Sequence, residues 1–255
     1  MLLKFNKKKL KYIIIIPARM KSKRLPGKPL IKIQNIPMVI RTYLQCRKVV
    51  KNELIFIATD SKKIQNVCKN FGVQSILTSS KCLTGTDRVA EVAKKIKAKI
   101  YINVQGDEPI FNPKDLKKLL NYSLNNPKEI VSGYCNIHQE RMYNDLNVPK
   151  VVLDKNKYLL YATRAAVPSN KKGNFVSAQR QICAYSFPSE VLKFFDKSKK
   201  KTPLESVEDI EYLRFIENGL RIKCIEMSGT SLAVDNSFDL NLVSQIINKN
   251  RNLYD

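Results

Sequence analysis

Histidine is almost absent from the 255 residues of this chain, which contain His138 and no second histidine. No cysteine lies near His138 in the sequence, so we interpret it as a surface side chain rather than a metal ligand or a base. A catalytic triad of the Ser–His–Asp type needs a histidine base. Any chemistry is therefore expected to depend on carboxylates, cations and a bound metal.

Paired cysteines and long apolar runs are also missing. The six cysteines are scattered without a C-x-x-C pair, which favours free thiols over a disulfide framework or a zinc site. No stretch approaches the roughly 18 apolar residues that span a membrane. The four isoleucines after the basic start are too few for a secretory signal. These absences predict a cytoplasmic protein without a membrane partner.

Acidic residues are scarce relative to basic ones, with 22 against 46 and a net charge of +24. An excess of this size is typical of nucleic-acid-binding proteins. The lysines are, however, spread over predicted helix faces, and the sequence has no helix-turn-helix or zinc-finger spacing and no aromatic–arginine stacking pattern. We therefore predict no nucleic-acid partner. An inactive basic nucleic-acid-binding relative stays open as the alternative from another class.

Strand and helix patterns alternate regularly in the first half of the chain. Buried strands are predicted at residues 11–16, 53–59, 73–78 and 99–104. Amphipathic helices are predicted at residues 37–50, 62–71, 87–97 and 111–124. Because such alternation builds right-handed βαβ units, the sequence predicts an α/β fold with a mainly parallel mixed sheet flanked by helices.

The second half is less regular. A hairpin is predicted within residues 149–168, and short strands at 181–187 and 220–227. Helices are predicted at 188–197, 205–219 and 237–250. No internal repeat or low-complexity linker occurs. The simplest organisation is one domain, residues 1–255, with an inserted hairpin region for substrate and dimer contacts.

A cluster of cations directly follows the first predicted strand. After four isoleucines come Arg19, Lys21, Lys23, Arg24 and Lys28. Ligands of open parallel sheets lie outside the carboxyl ends of the strands, and Arg and Lys side chains suit phosphate oxygens. The cluster therefore predicts a triphosphate site, with a solvated basic loop as the alternative. No G-x-x-x-x-G-K-[ST] loop occurs, which disfavours a P-loop NTPase.

Carboxylates follow two other apolar runs. Asp107 and Glu108 come just after the strand that ends at Val104, and Gly106 allows a tight turn before them. Carboxylates at this edge, facing a phosphate-binding loop, suit a magnesium ion. Glu108 can also be read as an acidic turn before a helix. Asp235 is either a second magnesium ligand or the cap of the last helix.

Eight segments occur in a distinctive order from Ile13 to about residue 245: IIPARMKSKRLPGKPL, ATD, TGTDRVAEV, NVQGDEP, VPKVVLD, LYATRAAVP, TPLESVEDIEYLR and VDNSFDL. In this order they resemble the 3-deoxy-manno-octulosonate (Kdo) cytidylyltransferases. The resemblance implies a Rossmann-like nucleotidyltransferase fold. It also implies transfer of CMP from CTP to the anomeric hydroxyl of Kdo, with release of pyrophosphate, for lipopolysaccharide or capsule biosynthesis. Magnesium as cofactor and a homodimer are implied as well.

The resemblance further implies roles for matching positions. The residues that would bind CTP are Arg19, Lys21, Arg24, Lys28, Thr84, Gly85, Thr86 and Arg88. Asp107 and Asp235 would bind the metal, and with Arg19 and Lys28 they form the expected catalytic set. The residues that would bind the sugar are Gln105, Arg164, Gln181, Tyr185, Glu205 and Glu208. The two glutamates lie on a segment, 202–208, that would close over the sugar. Residues 12–130 would form the nucleotide-binding half and 131–245 the sugar-binding and dimerisation half.

Two places in the sequence depart from the family pattern. Gln181 stands where a histidine is expected, and glutamine cannot carry a charge. If that position touches the sugar, a variant acidic sugar such as 8-amino-Kdo or a nonulosonate is an alternative substrate, with Arg164 still needed for its carboxylate. Asn236 and Ser237 replace an expected Thr-Pro, while Asp235 is retained. A sugar-1-phosphate nucleotidyltransferase is disfavoured because the glycine-rich start of that group is missing.

Overall fold

The computed structural model of the chain describes residues 9–22, 24–197 and 200–254, without the side chains of 196 and 197. Lys23 of the predicted cation cluster therefore lies outside the described residues. The strands are β1 (Leu10–Ala18), β2 (Lys32–Ile33), β3 (Ile36–Pro37), β4 (Ile55–Thr59), β5 (Ser75–Leu77), β6 (Ala98–Val104), β7 (Ile130–Ile137), β8 (Lys150–Leu153), β9 (Leu159–Thr163), β10 (Ala178–Pro188) and β11 (Ile222–Glu226). The helices are α1 (Met38–Arg47), α2 (Lys62–Asn70), α3 (Gly85–Lys95), α4 (Pro113–Asn125), α5 (Glu140–Asn144), α6 (Ser189–Lys197), α7 (Pro203–Glu208), α8 (Leu213–Ile216), α9 (Ser237–Lys249) and α10 (Arg251–Tyr254).

Nine strands form one sheet, in the order β11-β7-β10-β6-β1-β4-β5, with β8 paired to β10 and β9 paired to β8. β1 runs parallel to β4 and β6, β4 to β5, and β7 to β11. β10 runs antiparallel between β6 and β7. The predicted mainly parallel mixed sheet is confirmed, and β8 and β9 form the predicted hairpin. Strands from both halves of the chain belong to this one sheet, while the functional division near residue 130 stays a prediction.

The four isoleucines of β1 explain how the sheet builds two cores. All four are fully buried, and successive side chains of a strand point to opposite faces. Ile14 and Ile16 pack in a cluster that takes in apolar residues of α1, α2 and α4. Ile13 and Ile15 pack in a second cluster with residues of α3, α6 and α8. Helices cover both faces, which explains why this central strand reads as a continuous apolar run.

Two differences between the structure and the sequence prediction concern the sheet and the region of the expected sugar site, while the short elements β2, β3, α5 and α10 were also not predicted. β7 was not predicted, although it is almost entirely buried between β10 and β11. The helix predicted at 205–219 is instead two short helices, α7 and α8, because Asp209 adopts a left-handed backbone with φ 51°. The Arg164 guanidinium binds the carbonyl oxygens of Glu208 and Asp209, at 2.6 and 3.3 Å, and these carbonyls would accept bonds in a continuing helix.

Gly106 lies where the turn after β6 passes the end of β1. A Cβ at this position would lie 2.6 Å from the carbonyl oxygen of Pro17, a backbone atom that cannot shift easily. The Thr42 hydroxyl donates to the Gly106 carbonyl at 3.2 Å and fixes the turn from the other side. The close approach therefore requires glycine immediately before Asp107.

Replacing Gly106 with Ala is expected to lower the free energy of unfolding by about 1–3 kcal/mol, the usual cost of forcing an extra methyl into a packed site. Urea unfolding followed by circular dichroism measures this. Gly85→Ala is the matched control, because the atoms nearest its Cβ belong to the flexible Gln105 side chain, at 2.8 and 3.1 Å. We expect a smaller loss for Gly85→Ala. A larger loss for Gly85→Ala would show that the backbone approach at Gly106 is not limiting.

Candidate active site

Two aspartates from distant parts of the chain meet at one lysine. The Lys28 ammonium lies 2.6 Å from Asp107 Oδ2 and 3.1 Å from Asp235 Oδ1. It also donates to the carbonyl oxygen of Val234 at 3.0 Å. Lys28 belongs to a short 3-10 turn after Gly27, whose φ of 68° suits glycine. The structure thus brings together the predicted strand-one cation and both predicted metal ligands.

Backbone contacts hold the two aspartates in place. The Val234 amide donates to the Asp107 carbonyl at 2.9 Å, which joins the turn after β6 to the segment before α9. Asn236, not Asp235, is the N-cap of α9, and its side chain accepts a bond from the Asp239 amide. The alternative reading of Asp235 as a helix cap is therefore wrong, and its carboxylate is available to cations.

The other predicted triphosphate cations differ in their positions. The Arg24 guanidinium lies 3.0 Å from Asp235 Oδ1 and donates to Asn147 Oδ1 at 3.2 Å. Arg19 and Lys21 are exposed. The pKa of Asp209 is lowered, first by a hydrogen bond from Lys201 and to a smaller extent by nearby positive charges that include Arg19. Arg19 therefore lies close enough to Asp209, which follows α7, for its charge to act on that carboxylate.

The arrangement around Lys28 fits a magnesium ion. Two carboxylate oxygens and a carbonyl oxygen face a single point, and a positive group already stands there. Burial alone would lower the pKa of Lys28, and the charges of Asp107 and Asp235 outweigh it and raise that pKa. Within the described residues no three Asp, Glu, His or Cys side chains form a metal-binding group. Two carboxylates suit magnesium, which commonly takes its other ligands from water and substrate phosphates.

Glu108 is a buried carboxyl whose environment the sequence did not indicate. It is 4% exposed, and its Oε2 has no hydrogen-bond partner in the part of the chain that the structure describes. Burial, and next the charge of Asp107, raise the pKa of Glu108 from 4.5 to about 8. Glu108 is therefore expected to be largely protonated at neutral pH and to leave Asp107 and Asp235 as the charged pair.

The protonation of Glu108 predicts how stability depends on pH. The folded protein keeps a proton that the unfolded chain releases near pH 4.5, so this group makes stability fall as pH rises from 4.5 to about 8. Glu108→Gln, which stays neutral, is expected to flatten this fall. Urea unfolding at several pH values between 5 and 8 measures it, with exposed Glu226→Gln as the control. Equal slopes for wild type and Glu108→Gln would contradict the assignment.

The predicted nucleotide segment forms the start of α3. Thr84 caps this helix in a capping box with Asp87, which fixes the backbone at Gly85 and Thr86. Arg88 is 3% exposed, and its side chain binds Thr78, Asp60 at 3.4 Å and a backbone carbonyl. This differs from the expected role, because a buried guanidinium with these partners braces the loop rather than facing a nucleotide.

Glu211 is a site residue that sequence reasoning missed. Its Oε2 accepts a bond from the Thr86 amide at 2.9 Å, and its Oε1 accepts one from the Gln105 amide group at 3.1 Å. Burial raises the pKa of Glu211. Glu211 thus joins α3 to the turn that carries Asp107. The signal for it is the third glutamate of TPLESVEDIEYLR, whereas the resemblance assigns the first two, Glu205 and Glu208, to the sugar.

The predicted sugar residues fall into separate groups. Gln181 and Tyr185 are buried on β10, and the Gln181 amide donates to the Tyr185 hydroxyl. Arg164 donates to the carbonyls of Leu146, Glu208 and Asp209. Each nitrogen of the guanidinium thus donates to a backbone carbonyl. Each of the two terminal nitrogens has a second hydrogen that can still donate to a ligand. Direct binding of a sugar carboxylate by Arg164 stays a prediction.

The two glutamates assigned to the sugar also differ from each other. Glu205 is fully buried, and its two oxygens bind the Arg214 guanidinium at 2.6 Å each. It is not available for a sugar hydroxyl, which corrects the expectation for this residue. Glu208 is half-buried and accepts bonds from the Thr163 hydroxyl at 2.6 Å and the Arg164 amide at 2.8 Å. The segment expected to close over the sugar is the helix α7.

Comparisons with known proteins identify the family of this chain. The family model described as Cytidylyltransferase matches residues 13–222. A 3-deoxy-manno-octulosonate cytidylyltransferase of Chloroherpeton thalassium is 38% identical over 252 residues, covering 94% of this chain and 99% of the relative. The enzyme of the same name from Escherichia coli is 32% identical, with 88% and 91% covered.

Solved structures extend the comparison to the fold. The structure of a CMP:2-keto-3-deoxy-manno-octonic acid synthetase complexed with CTP has a TM-score of 0.87 and 30% identity, and covers 94% of this chain and 99% of that one. A putative glucose-1-phosphate thymidylyltransferase of Bacillus anthracis, at 15% identity and a TM-score of 0.66, covers 92% and 94% and shares the fold alone. These likenesses confirm the predicted Rossmann-like nucleotidyltransferase fold. The chain belongs to the 3-deoxy-manno-octulosonate cytidylyltransferase family.

Proposed function

We propose that this chain is a cytidylyltransferase that transfers CMP from CTP to the anomeric hydroxyl of Kdo and releases pyrophosphate, in lipopolysaccharide or capsule biosynthesis. The observation that carries the proposal is the meeting of Asp107, Asp235 and Lys28 at one point, at the carboxyl edge of the parallel strands. Ligands of such sheets bind at this edge. A triphosphate with its metal is the ligand that a basic loop facing two carboxylates suits best.

The chain's own residues provide the charges for phosphoryl transfer. Asp107 and Asp235 would hold Mg²⁺, which when bound neutralises phosphate charge and lowers the pKa of the attacking hydroxyl. Lys28, Arg24, Lys21 and Arg19 would bind the triphosphate oxygens, where negative charge builds up as pyrophosphate leaves. The start of α3, from Thr84 to Thr86, would receive the nucleoside. No histidine or cysteine is needed for any of these steps.

The sugar acid would bind between β10 and α7. Gln105, Gln181, Tyr185, Arg164 and Glu208 remain the proposed contacts, and Glu211 is added to them because it bonds to Gln105 at 3.1 Å. Glu205 is left out because Arg214 occupies its carboxylate. Gln181 is a neutral group that already donates to Tyr185, so this position offers the sugar hydrogen bonds and no charge.

Two further properties follow from the family resemblance. We propose a homodimer that uses the β8–β9 hairpin, where Leu160 is 56% exposed, together with the segment before β10, where Val176 is 71% exposed. Light scattering after gel filtration measures this directly. We also propose that the enzyme works in the cytoplasm, where its six free cysteines stay reduced. No helix within residues 9–22, 24–197 or 200–254 has the length and hydrophobicity to cross a membrane.

Pyrophosphate release tests the proposed function. Purified protein is incubated with CTP, Mg²⁺ and one sugar acid at a time: Kdo, 8-amino-Kdo or a nonulosonate. Kdo is expected to give the highest kcat/KM, and mass spectrometry is expected to find CMP-Kdo. A signal with another acid and none with Kdo would overturn the substrate. No signal with any acid, together with salt-sensitive oligonucleotide binding, would instead support the nucleic-acid-binding alternative.

A further inference from the structure

The Lys28 ammonium occupies the position that best suits a metal ion. Its three partners are Asp107 Oδ2 at 2.6 Å, Asp235 Oδ1 at 3.1 Å and the Val234 carbonyl at 3.0 Å. The Lys28 side chain is 15% exposed, so water screens these contacts only in part. Arg24 adds a second positive group, 3.0 Å from the same oxygen of Asp235.

A metal and the lysine cannot share this point. Magnesium binds carboxylate oxygens at about 2.0–2.1 Å, so an ion on Asp107 Oδ2 and Asp235 Oδ1 would overlap the space of the ammonium. Two positive groups at such a distance repel each other strongly in a partly buried site. Binding of the metal through these two oxygens therefore requires Lys28 to leave them.

Lys28 needs a new anionic partner when it leaves. Its side chain is largely buried, and its ammonium would otherwise lose two carboxylates with little water to replace them. A lysine is a point charge on a flexible four-carbon stem, which can follow an anion that arrives nearby. The triphosphate of the proposed substrate brings that anion and the metal together.

We propose that Lys28 is a metal surrogate, which holds Asp107 and Asp235 in place until Mg²⁺·CTP arrives and then moves from the carboxylates to the phosphates. This inference rests on the proposed function, because it assumes that the site receives a metal–nucleoside triphosphate. It makes Lys28 a positioning residue as well as a phosphate ligand. Its consequence is that the free enzyme binds divalent metal poorly.

Binding of Mn²⁺ without nucleotide or sugar tests the proposal. Free Mn²⁺ is measured by electron paramagnetic resonance for wild type, Lys28→Met and Lys32→Met. Lys28→Met is expected to bind Mn²⁺ at least about tenfold more tightly than wild type, because its carboxylates have lost their competing cation. Lys32→Met removes an equal charge from the neighbouring strand β2, and we expect a change below about twofold because Lys32 is exposed and lies outside the proposed binding residues. Equal affinity of wild type and Lys28→Met would overturn the proposal.

A second measurement covers the case in which Lys28→Met does not fold. A crystal of the wild type with Mn²⁺ and α,β-methylene-CTP is expected to show the metal on both aspartates, with the Lys28 ammonium on a phosphate oxygen. An ammonium still within hydrogen-bond distance of both aspartates beside that metal would overturn the exchange. The proposed function fails separately, if Mn²⁺ binding changes as expected but no sugar acid yields pyrophosphate.

Discussion

Asp107→Asn is expected to lower the turnover rate by about a hundredfold or more, on the order of 3 kcal/mol of transition-state stabilisation. Asparagine keeps the size of the side chain but removes the charge that would hold the metal. The loss is expected in kcat rather than in folding, because the Asp107 backbone remains bonded to the Val234 amide at 2.9 Å. Steady-state kinetics with CTP, Mg²⁺ and Kdo measures the rate, and urea unfolding confirms that the variant is folded.

Glu190→Gln is the matched control for this variant. It also removes one carboxylate, but from the exposed start of α6. This helix follows the end of β10, which lies at the edge of the sheet opposite to the site. Its kinetics are expected to equal those of the wild type. Near-normal turnover of Asp107→Asn would remove Asp107 from the mechanism and would leave the meeting of the two aspartates at Lys28 without a catalytic meaning.

The features that the sequence could predict depend on local pattern and on one rule of topology. The isoleucines of β1 are an apolar run because helices cover both faces of the sheet, and a run of this kind can be recognised without knowing its neighbours. Asp107 follows β6, which runs parallel to β1. Because the carboxyl ends of parallel strands lie at the same edge of a sheet, Asp107 is expected near the cations that follow β1. Asp235 follows no described strand directly, and the family motif was needed to place it.

The features that could not be predicted depend on partners far apart in sequence. Arg88 and Arg214 are both arginines on short helical stretches, and nothing near them indicates that they are buried against Asp60 and Asp87. Glu205 and Glu211 stand six positions apart in one motif, yet one binds Arg214 and the other faces Gln105. The break between α7 and α8 separates these two glutamates. The Arg164 guanidinium binds backbone carbonyls at that break.

Arg214→Met is expected to lower the free energy of unfolding by about 3–5 kcal/mol, the usual cost of removing one partner of a buried ion pair. Arg214 is fully buried, and it binds both oxygens of Glu205 as well as Asp87 Oδ1 at 2.8 Å. It also stacks 3.8 Å above the ring of Phe195. Without the guanidinium, Glu205 would be a buried carboxylate with no cation beside it. Urea unfolding at neutral pH measures the loss.

The double variant Arg214→Met/Glu205→Leu separates charge from packing. It replaces the buried pair with apolar side chains, a change that is often neutral or stabilising, so we expect it to recover more than half of the loss. Asp87 keeps its bonds to the Thr84 amide and hydroxyl at 2.8 Å in both variants, so α3 retains its cap. Lys193→Met, which removes an exposed pair on α6, is the control and is expected to unfold as the wild type does. If the double variant were no more stable than Arg214→Met, the cost would come from lost packing of the arginine rather than from the unpaired carboxylate of Glu205.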